Sequence, residues 1–367
     1  MSADTPVLNS ASSDTPVQNS VSSDTPVLNS VSADTPLLDA LTARGRAFLG
    51  SRHAIMAGAM SWVSERHLVS AISNAGGFGV IACGAMTPTL LEAEIAATQA
   101  LTDRPFGVNL ITMHPMLMDL IGVCRAAGVS HVVLAGGIPP GQAVAAITGF
   151  AKLIAFAPNY ALARKLLRSG TDALVIEGSE AGGHIGPVSL AVLAQEILPA
   201  LPDAVIFAAG GIGRGAAVAA LVEMGASGVQ LGTRFAASAQ SIAHPNFKKA
   251  FVRAAARDAV ASVQFDPRLP VIPVRALKNA GTEAFMEKQR EVSLRLAAGE
   301  VALADAQLEI EHYWAGALRR AVIDGDVDNG SLMAGQSVGM VTAEEPVQAV
   351  IDGLVGEAEA ALARRGS

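Results

Sequence analysis

With 51% hydrophobic residues, 16% charged residues and a net charge of −7, the 367-residue chain has the composition of a folded protein with a sizeable core. It carries no basic stripe, so a nucleic-acid surface is not expected and an anionic ligand would fall to backbone amides or a few local cations. No run reaches the ~18 consecutive apolar residues that span a bilayer, and no basic-then-apolar leader opens the chain; a soluble, cytoplasmic protein with no membrane partner is expected.

The first forty residues are four imperfect copies of one decapeptide, SADTPVLNS, SSDTPVQNS, SSDTPVLNS and SADTPLLDA. Ser, Asp, Pro and Asn dominate, so residues 1–35 are expected to form a mobile low-complexity tail. In the last copy Asp34 or Thr35 can cap a helix that starts at Pro36 and continues through Leu37, Leu38, Leu41 and Phe48. Eight short apolar runs follow: AIMA (54–57), FGVIA (78–82), FGVNL (106–110), HVVLA (131–135), KLIAF (152–156), ALVIE (173–177), AVIFAA (204–209) and GVQLG (228–232).

Helical stretches lie between these runs, at 65–74, 90–101, 116–127, 161–168, 191–198 and 215–224, and another follows near 246–256. Eight strands alternating with helices predict an α/β fold, a (β/α)8 TIM barrel over residues 36–265. A Pro-punctuated stretch, DPRLPVIPV at 266–274, then leads into helices near 282–298 and 302–323. Residues 266–343 thus read as a small helical cap with little core of its own, and 344–367 as a helix returning to the barrel. Cys83 and Cys124 stand in apolar surroundings, which predicts buried thiols in a reducing compartment.

Barrel sites form from the loops after the strands, and here those loops are rich in glycine. Gly58, Ala59 and Met60 follow strand 1, and Asn109 ends strand 3. EGSEAGGHIG (177–186) follows strand 6, GGIGRG (210–215) strand 7 and GTRF (232–235) strand 8. Glycine amides there can bind phosphate, and the loops after strands 7 and 8 are the usual place. Gly211, Gly213 and Ala216 also fit a loose dinucleotide fingerprint, but Gln230, Gly232 and Thr233 stand where an acidic ribose ligand is required.

His184, after Gly182 and Gly183, presents a titratable imidazole at the same mouth, suited to proton transfer near neutral pH. Glu177 and Glu180 can orient it or meet a ligand, and Glu180 reads equally well as a salt-bridged surface residue. DGDVDNG (324–330) begins like a calcium loop but has Asn329 in place of the glycine and Gly335 in place of the bidentate glutamate. No zinc spacing, P-loop or nucleophile elbow is present, so no metal is expected.

Together the segments AGAMSWVS (57–64), NAGGFGVI (74–81), LTDRPFGVNL (101–110), EGSEAGGHIG (177–186), AAGGIGRG (208–215), VQLGTRF (229–235), AHPNFKKA (243–250), VRALKN (274–279) and DGDVDNGSLMAGQ (324–336) resemble the nitronate monooxygenase (2-nitropropane dioxygenase) flavoproteins, which include flavin-dependent enoyl-acyl-carrier-protein reductases. The likeness runs from about residue 40 onward. It implies FMN at the C-terminal mouth, with NADH or NADPH as a reductant, and His184 as catalytic acid or base.

The resemblance lays the flavin ring against Ala59 and Met60, sets Glu177 and Gly182 near the cofactor, and gives its phosphate end to Gly211, Gln230, Gly232 and Thr233. Gly58, Asn109, Gly183 and Gly210 complete the expected set. Four positions depart from the family pattern: in the first-strand motif Ala57 replaces a Gln and Ala59 a Gly, Ala85 replaces an Asn, and Phe156 a Lys found in some members.

The leading activity implied is oxidation of alkyl nitronates by FMN and O2. Reduction of an enoyl thioester or a quinone with NAD(P)H is the alternative, and the 324–340 tail looks more like the reductases. A flavin-binding scaffold that docks through its repeats is a minor third. The expected partner is a small molecule, nitronate or enoyl thioester, and a homodimer is compatible with the sequence.

Overall fold

The computed structural model describes residues 35–84, 86–269 and 273–365, so most of the repeat tail and the Ala85 position lie outside the described residues. The apolar runs form strands β1 (Ile55–Ala57), β2 (Gly79–Ala82), β3 (Phe106–Ile111), β4 (His131–Ala135), β5 (Lys152–Phe156) and β6 (Ala173–Glu177). Next come β7 (Gly183–His184), β8 (Val205–Ala209), β9 (Gly228–Leu231), β10 (Ala259–Ala261) and β11 (Val274–Leu277).

Eight of these pair in parallel in the order β2-β3-β4-β5-β6-β8-β9-β1. A bridge between Met56 and Phe78 joins the two ends: Phe78 N donates to Ile55 O and Ala57 N to Phe78 O, both at 2.9 Å. The sheet is a (β/α)8 barrel, closed by that bridge. Its interior is packed by Met56, Phe78, Val80, Val133, Ile154, Val175 and Phe207, while the alternate residues, such as Ile55, Leu174, Ile176 and Val229, face the helices.

The first helical stretch is not continuous. It breaks at Thr42 into helices Pro36–Leu41 and Ala43–Leu49, and Thr35 makes no side-chain cap. Instead Glu359 accepts from Leu37 N and Leu38 N, at 3.1 and 2.8 Å. The second helix plugs the bottom of the barrel with Phe48 and Leu49. His131 Nε2 and Lys152 Nζ both donate to Phe48 O, at 2.9 and 2.6 Å.

The helix expected after the eighth barrel strand is Pro245–Arg253, and it packs on the turn Gln336–Met340. Helix Val347–Arg365, far along the chain, lies on Gly215–Glu223, Arg66–Asn74 and Pro36–Leu41 and so takes the outer-ring place. Backbone approach explains Gly215: a Cβ there would stand 2.5 Å from Ala358 N.

Helices Ala280–Ala297 and Leu303–Arg319 share a core of Phe285, Val292, Ile310 and Trp314, more than the sequence suggested for this segment. The DGDVDNG stretch serves that cap. Asn279 caps the first of the two helices at Thr282 N and donates to Val327 O and Gly330 O, at 2.7 and 2.8 Å. Among the described residues, no helix is long and apolar enough to cross a membrane.

Burial lowers the pKa of His131 from 6.5 to about 4, so the ring is neutral in the fold, donating to Phe48 O. A lowered histidine stabilises the fold above its unfolded pKa and loses that contribution as pH falls from 6.5 toward 4, on the order of 3 kcal/mol in total. His131→Gln, which keeps a donor but cannot titrate, is expected to flatten the acid limb of the Tm profile across that window.

Candidate active site at the barrel mouth

Strand parity decides which side chains face the barrel axis. In β6, Ala173 and Val175 point inward, so Glu177 continues the inward row at the mouth. In β3 and β9, Val108, Leu110, Val229 and Leu231 face the helices, which turns Asn109 and Gln230 inward. The topmost inner layer is therefore Asn109, Glu177 and Gln230 among the small residues Gly58, Ala82, Ala135 and Ala209, with Phe156 at one side. A Cβ on Gly58 would lie 3.5 Å from Gln230 Nε2.

This floor is wide, low and polar. Asn109 Nδ2 makes only a long 3.4 Å bond to Val133 O, and the side chains of Glu177 and Gln230 have no hydrogen-bond partner among the described residues. Polar groups this deep are normally satisfied, which marks the floor as a place where a ligand completes the bonding. Burial pushes the Glu177 carboxyl up to about 8, so at neutral pH it is largely a neutral acid that can donate as well as accept.

His184 is held above the floor by a small antiparallel sheet that the sequence did not announce. β7 pairs with β11, His184 opposite Val274, and β11 pairs with β10. Ile185 N donates to Pro273 O at 2.9 Å, and the His184 side chain is exposed at the mouth. Arg275 pins the loop below through Nε and Nη2 on Ser179 O, at 3.1 and 3.0 Å.

The 333–336 segment walls the other side. Gln336 N donates to Glu180 O at 2.9 Å, Gly335 N to Thr233 Oγ1 at 3.0 Å, and Met333 bridges to Ala276. A Cβ on Gly182 would fall 2.5 Å from Gly335 N, and one on Gly210 would fall 2.9 Å from Gly178 O. These two glycines thus admit neighbouring backbone. Gly183 is buried beside Met333, and Gly210 and Gly211 turn with φ of 98° and 70°.

Gly232 is different: a Cβ there would meet only Met60 Sδ at 3.6 Å, so its surface stays open toward the mouth beside exposed Ala59. The helix end in GGIGRG, expected to favour phosphate, is already met by a carboxylate, since Gly215 N donates to Glu357 Oε2 at 2.8 Å. An anion at this mouth is left with the turn at 210–213 and the Gly232–Thr233 corner. Glu180 serves packing, accepting from Leu190 N at 2.9 Å.

All the residues expected at the site therefore stand on one mouth, on β1, β3, β6, β7, β8 and β9 or the loops after them. Sequence reasoning gave no site role to Arg275, Glu357 or Met333–Gln336, although VRALKN and DGDVDNGSLMAGQ carried the resemblance; each acts through a contact made far along the chain. Residues 44–357 match the nitronate monooxygenase family. The chain belongs to that family.

A Rhodococcus jostii protein named (3aS,4S,5R,7aS)-5-hydroxy-7a-methyl-1-oxo-octahydro-1H-indene-4-carboxyl-CoA dehydrogenase is 29% identical over 335 residues, 84% of this chain and 94% of that protein. FabK from Thermotoga maritima is 35% identical, with a TM-score of 0.79 over 88% of this chain and 98% of its own. Nitroalkane oxidase from Streptomyces ansochromogenes is 25% identical, with a TM-score of 0.72 over 89% and 99%. This family member is an oxidoreductase that acts on a small molecule.

A carboxyl raised by burial favours the fold below its unfolded pKa and costs stability as pH rises through its folded value, here about 8. In flavin-free protein, Glu177→Gln is expected to raise Tm at pH 8 by more than at pH 5. Equal shifts at the two pH values would contradict the neutral carboxyl.

Proposed function

We propose that the chain is an FMN-dependent reductase of an enoyl thioester, with NADH or NADPH as reductant and His184 as the proton donor. The observation that carries this reading is the position of Met333–Gln336. The part of the sequence most like the enoyl reductases forms one wall of the mouth, bonded to Thr233 and Glu180. The likeness to FabK and to a dehydrogenase named for a carboxyl-CoA substrate points the same way.

The residues present fit a flavin mononucleotide. Asn109, Glu177 and Gln230 offer unsatisfied polar groups on a floor of small side chains, against which a planar ring can lie beside Ala59 and Met60. The turn at Gly210 and Gly211 and the Gly232–Thr233 corner would take the phosphate. When bound, FMN supplies hydride chemistry that no side chain provides.

The protein supplies the proton and the enclosure. His184, fixed by its strand pairing, delivers a proton to the α-carbon of the thioester as the β-carbon is reduced. The β7-β11-β10 roof and the 333–336 wall limit water above the floor. The buried thiols of Cys83 and Cys124, pushed up to about 11 and 12 by desolvation, take no part, and they suit a reducing cytoplasm.

Oxidation of an alkyl nitronate with O2 is the second reading, favoured by the family's name and by the nitroalkane oxidase likeness. There His184 would accept the α-proton of a neutral nitroalkane.

Anaerobic addition of NADH or NADPH to the flavin-loaded protein is expected to bleach its visible absorbance, and a 2-enoyl thioester to restore it. No bleaching sinks the reductase; oxygen uptake with propyl-2-nitronate above an enzyme-free control establishes the other reaction. His184→Gln is expected to lower kcat by about 10²–10⁴-fold with the flavin spectrum intact. The glycines separate by role. Gly182→Ala is expected to lower Tm by displacing Gly335, whereas Gly232→Ala leaves Tm in place and weakens retention of flavin on gel filtration.

A further inference from the structure

Trp62 is the only non-glycine in the left-handed region among the described residues, with φ of 67°. That conformation costs an L side chain about 1–3 kcal/mol, most of which a glycine or asparagine would avoid. Burial does not offset the cost, because the indole is 47% exposed. The turn itself is clamped. Val63 N and Ser64 N donate to Met60 O, Ser64 Oγ bonds Gly58 O, and Ala82 N donates to Ser64 O. A rigid turn rooted in the site floor at Gly58 thus lifts one large side chain into the open.

Arg319, the last residue of the cap's second helix, lays its guanidinium over the indole, 5.8 Å from the ring centre. Its Nη1 also bonds Asp324 at 3.0 and 3.2 Å, so its charge is matched and it serves as a flat support for the ring. Other exposed apolar side chains stand on loops of the same mouth: Met113 and Met116 after β3, and Ile138 after β4, are 67%, 38% and 57% exposed. β1 to β4 are neighbours around the barrel, so these loops form one arc of the rim, facing the arc that His184 and its sheet cover. Apolar side chains of this size, grouped beside a polar floor, suit a ligand with an apolar part.

We propose that Trp62 is a specificity-determining residue, its indole walling the open side of the mouth and packing on the apolar part of the substrate, with Arg319 as the positioning residue that holds the ring. This rests on reading the mouth as the flavin site. It adds the class of substrate: one carrying an extended alkyl or alicyclic group, whichever functional group reaches His184.

Trp62 and Trp314 are the only tryptophans of the sequence, and the Trp314 indole nitrogen has no hydrogen-bond partner among the described residues. In full-length, flavin-loaded Trp314→Phe protein, Trp62 emission can therefore be followed during titration with straight-chain 2-enoyl-CoA thioesters and, separately, 1-nitroalkanes of increasing length. A blue shift is expected with one series, with apparent Kd falling by up to about fourfold per added methylene. Trp62→Gly should flatten that length dependence, weakening long members far more than short ones, and Trp62→Phe should retain most of it. Arg319→Gln should fall between them.

Emission that responds to neither series overturns the proposal, as does a Trp62→Gly loss that is equal at all lengths. Flavin absorbance, recorded in the same titration, tells the failures apart: a flavin response without an indole response rejects the role of Trp62 alone, and silence from both rejects the reaction as well. Emission that changes with protein concentration before any ligand is added assigns the arc to a second copy of the chain, and also overturns the proposal.

Discussion

Backbone meets backbone at this barrel mouth with no Cβ between. Gly182 lies against Ala334 and Gly335, and Gly210 against Gly178, so three stretches distant in sequence approach more closely than side chains would allow. The His184 loop takes its height above the floor from that contact; Gln336 N locks it by donating to Glu180 O, and Thr233 Oγ1 accepts from Gly335 N and so anchors the wall behind it. A methyl group at Gly182 would push the wall away from the His184 loop, and one at Gly210 would push the turn after β8 away from the start of that loop.

A second constraint comes from helix Val347–Arg365. Its Glu357 caps Gly215–Glu223, and its Glu359 caps Pro36–Leu41, each carboxylate meeting amide groups that would otherwise lack partners. One helix thereby ties the start of the described fold to the outer ring of the barrel. It also occupies the helix end in GGIGRG, so that an anion at this mouth would be left with the tight turn at 210–213 and the corner after β9.

The barrel was legible because each strand is a short run of Val, Ile, Leu and Ala bounded by glycine turns, and the observed strands fall within a residue or so of those runs. That the candidate site residues share one mouth was legible for the same reason: strand ends place residues by counting. Four features were not. β7, β10 and β11 have two to four residues each, too few to show alternation. The break at Thr42 lies in a continuous apolar pattern, and the cap on Pro36–Leu41 comes from Glu359, which no local motif reveals. The helix Gly141–Thr148, preceded by two prolines and rich in alanine, carries too weak a stripe to stand out. And DGDVDNG, which looks like a ligand loop, is a brace for Asn279.

The reach of helix Val347–Arg365 bears on the order in which the protein is made. Leu37 and Glu359 are 322 residues apart, yet their bond joins elements of the same outer layer. During synthesis, the barrel strands emerge long before the helix that covers Gly215–Glu223, whose apolar side must wait. Contacts of such long separation close slowly. For that interval the nascent barrel leaves bare the strip on its flank that residues 347–365 cover in the finished fold.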